Sequence, residues 1–374
     1  MANPALRNAS QSKEAHLPRQ FFSSQHVKIS MVDRIFFLDH LKTMIHAGLS
    51  LIEALHVLAK EAQNKKFARI VKEITDHVEK GNQLSDSLKL YPKIFPDLQT
   101  KMIASGEIAG KLEDALDQVV VQMKKNHALV ASVKGALIYP SVIVSAILII
   151  GILMVTMVLP KLTAMFDEFE AELPLSTKVL IGITDFLSQP LNLILVLGLT
   201  ALFVILFIVM IKKNVAFRYF MHGVILHLPI FGAIAKKVNL ARFSITLSSL
   251  LKSTIPIVDA VRIAGETCKN VRYSGALLSA TENLSKGEQL SDTLAASPKL
   301  FPPMVTEMVM VGEKTGEIDH LLQELASFYS DEVDKTMKNF STIIEPVIII
   351  LLGVGVAGIA VSIIMPMYSL TQAF

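Results

Sequence analysis

The chain contains no Trp and a single Cys, Cys268. One thiol excludes an intramolecular disulfide and leaves no cysteine pair for a zinc site. Charge is also scarce: 18% of residues are Asp, Glu, Lys or Arg, against nearer a quarter in soluble domains. The net charge of +3 is too small to argue for nucleic acid. The sequence has no Gly-x-x-x-x-Gly-Lys-Ser/Thr loop to cradle a phosphate. Gly312-Glu-Lys-Thr comes nearest, but lacks the upstream Gly and the Gly-Lys order. There is no His-Glu-x-x-His, and the ten His residues are scattered. No Ser/His/Asp set is suggested. A hydrolytic or redox active site therefore has no residues to carry it, and neither a cofactor nor a metal ion is expected. Residues 1–30 lack the apolar run of a signal peptide. They are rich in Ser, Gln and Asn without a period, which predicts a disordered tail.

Apolar residues make up 52% of the chain, and they are concentrated. Stretches 136–159, 191–211 and 343–365 each reach the roughly 20 residues needed to cross a bilayer. The rest has ordinary amphipathic composition, so the sequence reads as a membrane protein with two sizeable soluble parts.

Those two parts are copies. Gly81-Asn-Gln-Leu-Ser-Asp-Ser-Leu-Lys-Leu-Tyr-Pro-Lys-Ile-Phe-Pro96 recurs as Gly287-Glu-Gln-Leu-Ser-Asp-Thr-Leu-Ala-Ala-Ser-Pro-Lys-Leu-Phe-Pro302. The offset, 287 − 81 = 206, also relates Glu107 to Glu313, Pro140 to Pro346 and Pro160 to Pro366. One gapless register thus joins residues 36–160 to 242–366, the mark of a tandem duplication.

Within the first copy, apolar residues recur every three or four positions. Ile35, Leu38, Leu41 and Ile45 precede a stop at Gly48. Ser50 caps a second helix carrying Leu51, Ala54, Leu55 and Leu58. Phe67, Ile70, Val71, Ile74 and Val78 mark a third, ended by Gly81. A short helix covers 84–90, another covers 97–108, and a long one runs from 111 toward the membrane. No stretch alternates as a strand does. The predicted fold is all-α: two tandem six-helix bundles and three transmembrane helices. The boundaries are tail 1–30, bundle 31–135, span 136–159, loop 160–190 with an amphipathic helix, span 191–211, bundle 212–342, span 343–365 and tail 366–374.

Lys124, Lys125 and Lys134 precede span one, and Lys212, Lys213 and Arg218 follow span two. The loop between holds Asp167, Glu168, Glu170, Glu172 and Asp185 against Lys161 and Lys178. The positive flanks place both bundles, and the N-terminus, in the cytoplasm. Span 191–211 lies outside the repeat register and returns the chain, so the copies are parallel repeats.

The sharpest motifs are Gly106-Glu107 with Gly110, and Gly312-Glu313 with Gly316. A glycine inside a helix costs about 1 kcal/mol against Ala, so Gly106 and Gly312 call for a close helix approach. Gly110 and Gly316 read as C-terminal stops. Glu107 and Glu313 have two readings, a local cap or ion pair and a contact surface for a partner. Pro140 and Pro346 sit near the starts of spans one and three. Glu345 is the one carboxylate at the mouth of span three, as a partner contact or a group reaching the interface. Gly353, Ala357 and Ala360 on span three, and Ser141 and Ser145 on span one, form small-residue faces suited to helix packing in lipid.

Together these motifs resemble the type II secretion system F-protein family. Leu173-Pro174, Leu228-Pro229-Ile230-Phe231-Gly232, Glu345-Pro346 and Met365-Pro366 add to the resemblance, which covers about residues 34–370. It implies a non-enzymatic platform in the cytoplasmic membrane. The implied partners are a hexameric ATPase, pilin or pseudopilin subunits, other inner-membrane assembly proteins, further copies of the chain and membrane lipid. The residues leave two rivals from other classes, a membrane-bound enzyme, which would need a site within the bundles where none is visible, and a small transporter or channel subunit. The latter would need polar residues lining the spans, where Glu345 stands alone. The chain departs from the family in a short segment ahead of the first bundle. It also departs at Ser253-Thr254-Ile255-Pro256, where a small residue followed by Gly is expected and a tight turn is therefore in question.

Overall fold

The computed structural model describes residues 28–160 and 175–373. The expected tail over residues 1–27 and most of the acidic loop, including Leu173-Pro174, lie outside the described residues. All regular structure among the described residues is helical. The described residues divide into two compact units, one within 28–125 and 246–263, the other within 126–160, 175–245 and 264–373.

The first copy folds as six helices: α1 Met31–His46, α2 Leu51–Glu61, α3 Lys65–Glu79, α4 Leu84–Lys89, α5 Asp97–Ile108 and α6 Leu112–Leu153. Local chemistry sets their ends. Ser30 Oγ accepts from the Asp33 amide at α1. At α2, Ser50 and Glu53 form a reciprocal capping box. Asn64 caps α3 by accepting from two amides. Gly48, Gly81 and Gly110 adopt φ of +90°, +87° and +66° just past α1, α3 and α5, the left-handed region open to glycine.

The apolar stripes meet in one core. Phe37, Leu41, Leu55, Ile70, Ile74, Leu88 and Phe95 are each at most 2% exposed. The Phe37 ring lies 5.6 Å from Phe67 and 5.8 Å from Phe95, in edge-on and tilted geometries. Around this core the α1–α6 pairing carries charge: Lys42 Nζ is 3.0 Å from Asp117, and Lys124 Nζ is 2.8 Å from Asp39. Lys124 holds the Asp39 carboxyl below its ordinary range.

The second copy repeats this order as α10 Phe231–Lys252, α11 Ile257–Thr267, α12 Val271–Leu284, α13 Leu290–Ala295, α14 Pro303–Thr315 and α15 Ile318–Ala373. Its aromatic core follows the same register. Phe243 and Tyr273 each lie 5.5 Å from Phe301, the positions of Phe37, Phe67 and Phe95 plus 206. Tyr273 replaces Phe67, and its buried hydroxyl donates to the Leu300 carbonyl at 2.9 Å. Cys268 is also buried, and burial pushes its thiol up to about 11.

At the departure noted above, the tight turn survives without glycine. Thr254 takes φ +58° where its counterpart Gly48 takes +90°. Both turns close the same way, Leu49 N to Met44 O and Gly48 N to Ile45 O in one, Ile255 N to Leu250 O and Thr254 N to Leu251 O in the other. A β-branched residue is strained there. Ser105 Oγ donates to the Ser253 carbonyl at 2.8 Å and lies 3.4 Å from Thr254 Oγ1, which helps hold the turn. Thr254→Gly should therefore raise stability by about 0.5–1 kcal/mol, the strain relieved exceeding the added chain entropy. Thermal melting of the purified chain checks this, and a lower midpoint would mean that the hydroxyl contact outweighs the strain.

Among the described residues, three helices are long and apolar enough to cross a membrane: α6 with the π-helical turn Met154–Val158, α8 Pro190–Lys213, and α15. The apolar window of each is almost wholly uncovered by protein, so lipid is the solvent that such side chains require. α6 and α15 run from bundle into span without interruption, and Pro140 and Pro346 lie inside them. α7 Leu175–Ser188 packs on the π-helical turn, α8 and α15. It buries Thr184 while leaving Val179, Ile183 and Phe186 about half exposed. Its apolar side thus faces away from protein, as a helix beside lipid would place it.

Candidate partner surface at the acid-glycine corners

Helix α4 has no side-chain cap of its own. Gln83 occupies the N-cap position and makes no such bond. The cap arrives from 23 residues downstream. Glu107, in the last turn of α5, accepts from the Leu84 amide at 2.6 Å and the Ser85 amide at 2.9 Å. A carboxylate at a helix N-terminus meets both unpaired donors and the positive end of the dipole. In the second copy Glu313 accepts from the Leu290 amide at 2.6 Å and the Ser291 amide at 3.0 Å. It also accepts from Ser291 Oγ at 2.6 Å. The equivalent Ser85 Oγ is buried without a partner. Of the two readings of these acids, the geometry matches the local cap: both oxygens of each carboxylate serve backbone.

The glycine beside each acid is required by space. A β-carbon on Gly106 would lie 2.2 Å from Ala115 Cβ and 2.9 Å from the Lys111 carbonyl oxygen. On Gly312 it would lie 2.7 Å from Ile318 Cα. The turn between α5 and α6 folds back onto Gly106, whose carbonyl accepts from the Lys111 amide at 2.8 Å while Gly110 N bonds Glu107 O. Gly316 ends α14 at φ +78°, its amide bonding the Gly312 carbonyl. Gly, Glu and Gly are thus three parts of one corner: close crossing, cap of the neighbouring helix, and reversal of the chain. The sequence placed the acids near these turns but not the 23-residue link. The signal was present, since 107 − 84 and 313 − 290 are equal.

Next to the corners the two copies differ in surface. Ile108 is 79% exposed, and Lys314 stands at its equivalent position. Glu345 is exposed on α15, with no hydrogen bond or ion pair to another described residue. In the spans, Ser141 and Ser145 hydroxyls bond carbonyls of their own helix. A β-carbon on Gly353 would meet nothing within 4 Å, so no described residue packs against that glycine. Among the described residues no group of three or more His, Cys, Asp or Glu could hold a metal ion.

Comparison with known proteins follows the same symmetry. The model of the family "Type II secretion system (T2SS), protein F" matches twice, over residues 37–160 and 243–366. Its two matches are offset by 243 − 37 = 206, the register of the duplication. The chain is 32% identical to the type IV pilus assembly protein PilC of Pseudomonas aeruginosa over 343 residues, 92% of this chain and 91% of that protein. It is 32% identical to PilC of Thermus thermophilus, over 90% of this chain and 82% of that protein. It is 30% identical to the type II secretion system protein F of Vibrio cholerae, over 92% of this chain and 84% of that protein. Two matches in register, three apolar helices and the paired acid-glycine corners lead to one conclusion: the chain belongs to the type II secretion system protein F family.

Proposed function

We propose that this chain is a non-enzymatic inner-membrane platform coupling a cytoplasmic secretion ATPase to assembly of pilin-like subunits. The observation that carries the reading is mechanical. Each copy ends in a helix, α6 or α15, that leaves the bundle and continues unbroken into an apolar stretch. Displacement applied to a bundle would reach the membrane through one continuous helix. The names of its relatives, type IV pilus assembly proteins and type II secretion proteins F, support this setting.

In this reading the N-terminus and both bundles lie in the cytoplasm, because Lys134 precedes span one and Lys212 and Lys213 follow span two. The acid-glycine corners contribute to the ATPase surface through shape, since Glu107 and Glu313 hold the starts of α4 and α13. Glu345 is assigned to contact with partners at the membrane. Capture of the tagged full chain from its native membranes should bring down a hexameric ATPase. Its absence under conditions that retain other inner-membrane partners would contradict the coupling role. ATP hydrolysis by the purified chain alone would overturn the platform reading itself.

A further inference from the structure

One cavity in the second unit has the chemistry of an anion site. It measures about 310 Å³ and lies among α9 Val215–His227, α10, α12 and the loop before α14. Three cations line it, Lys236, Arg272 and Lys299, and no carboxylate does. None of the three makes an ion pair among the described residues. Tyr219 forms one wall, and the Arg272 guanidinium lies over its ring, 4.5 Å from the centroid. The same guanidinium rests on Gly223, where a β-carbon would meet it at 2.2 Å. Arg272 Nε is buried without a partner. The guanidinium is therefore held in place by packing rather than by an acid. A fixed guanidinium and two lysines around one cavity suit a phosphate group.

The surroundings identify what carries the phosphate. α9 follows span α8 after Asn214 and packs back on it, with Phe217 5.8 Å from Phe207 edge-on. The cavity therefore lies close to the lysine-bearing end of the span. Beside it, α9 exposes Val215, Tyr219, Phe220 and Val224, the aromatic pair by 52% and 62%. Residues 212–242 contain Lys and Arg but no acid. An apolar helix face flanked by cations is the pattern of a helix lying in the membrane interface. α9 also precedes the repeat register, which begins in the second copy at residue 242.

We propose that this cavity binds the phosphate headgroup of an anionic phospholipid, with Arg272 and Lys236 at its base, Lys299 at its rim and α9 in the acyl boundary. The test uses the full chain purified in detergent and native mass spectrometry with three probes: phosphatidylglycerol, phosphatidylcholine and inorganic phosphate. Phosphatidylglycerol should bind at least about tenfold more tightly than phosphatidylcholine, and Lys236→Glu with Lys299→Glu should weaken it about tenfold or more. Lys299→Glu alone, in an exposed loop, should give a smaller loss without disturbing the fold. Unchanged phosphatidylglycerol binding in the folded variants would overturn the proposal. So would saturable binding of inorganic phosphate at the same residues with no preference for the anionic lipid, which would assign the cavity to a free anion.

Discussion

Gly106→Ala should destabilise the chain by about 3 kcal/mol, although it adds one methyl group and improves helix propensity. The new carbon would fall 2.2 Å from Ala115 Cβ and 2.9 Å from a backbone oxygen. Neither atom is the end of a flexible side chain, so the start of α6 must move, and forced repacking of this kind costs about 1–3 kcal/mol or more. Gly312→Ala should behave alike, against Ile318 Cα at 2.7 Å. The control is Gly275→Ala in α12, where nothing lies within 4 Å. There the propensity gain acts alone and should stabilise by up to about 1 kcal/mol. Helical circular dichroism melts of the three variants in detergent separate the cases. Equal midpoints for Gly106→Ala and Gly275→Ala would remove the close-crossing account.

Glu107→Lys should destabilise the first bundle by about 3–5 kcal/mol. It removes two charge-assisted bonds to the Leu84 and Ser85 amides, each worth about 1.5–3 kcal/mol. It also places a cation at the positive end of α4. Glu107→Gln keeps one acceptor oxygen and should cost about 1 kcal/mol. Glu313→Lys should match or exceed Glu107→Lys, because Ser291 Oγ loses its partner too. By the same geometry Ser85→Ala should be near neutral, as its buried hydroxyl already lacks a partner. Melting midpoints and expression in membranes read these differences. If Glu107→Lys kept the wild-type midpoint, the carboxylate would not be the cap, and a purely external contact would explain it better.

Much of the fold was legible because the physics that sets it is local or periodic. The stripes of α1 to α3 announce themselves at three- and four-residue spacing, and Gly48 and Gly81 mark their ends. The duplication was legible for a different reason: a single register carried Gly, Glu and Pro together. What stayed hidden involved contacts distant in sequence. Glu107 reaches an amide 23 residues upstream because α4 lacks a cap of its own. α9 was missed because an apolar helix just after an apolar span shows no separate period, and the break between them is only Lys212-Lys213-Asn214, of which Asn214 caps α9 through the Phe217 amide. The turn at Thr254 corrects a rule of thumb, since a strained residue kept a conformation that glycine would have taken freely. For the candidate surface, the sequence singled out Glu107 and Glu313, and the structure shows their carboxylates turned to backbone.

The central claim is that duplication placed two bundles on one face of the membrane, with α8 returning the chain between them. Reporter fusions after Lys125, Glu172, Leu290 and Phe374 test it directly, using a phosphatase active only outside and a fluorescent protein that matures only inside. The account predicts inside, outside, inside and outside in that order. Phosphatase activity at Leu290 would put the second bundle on the opposite face from the first and contradict it.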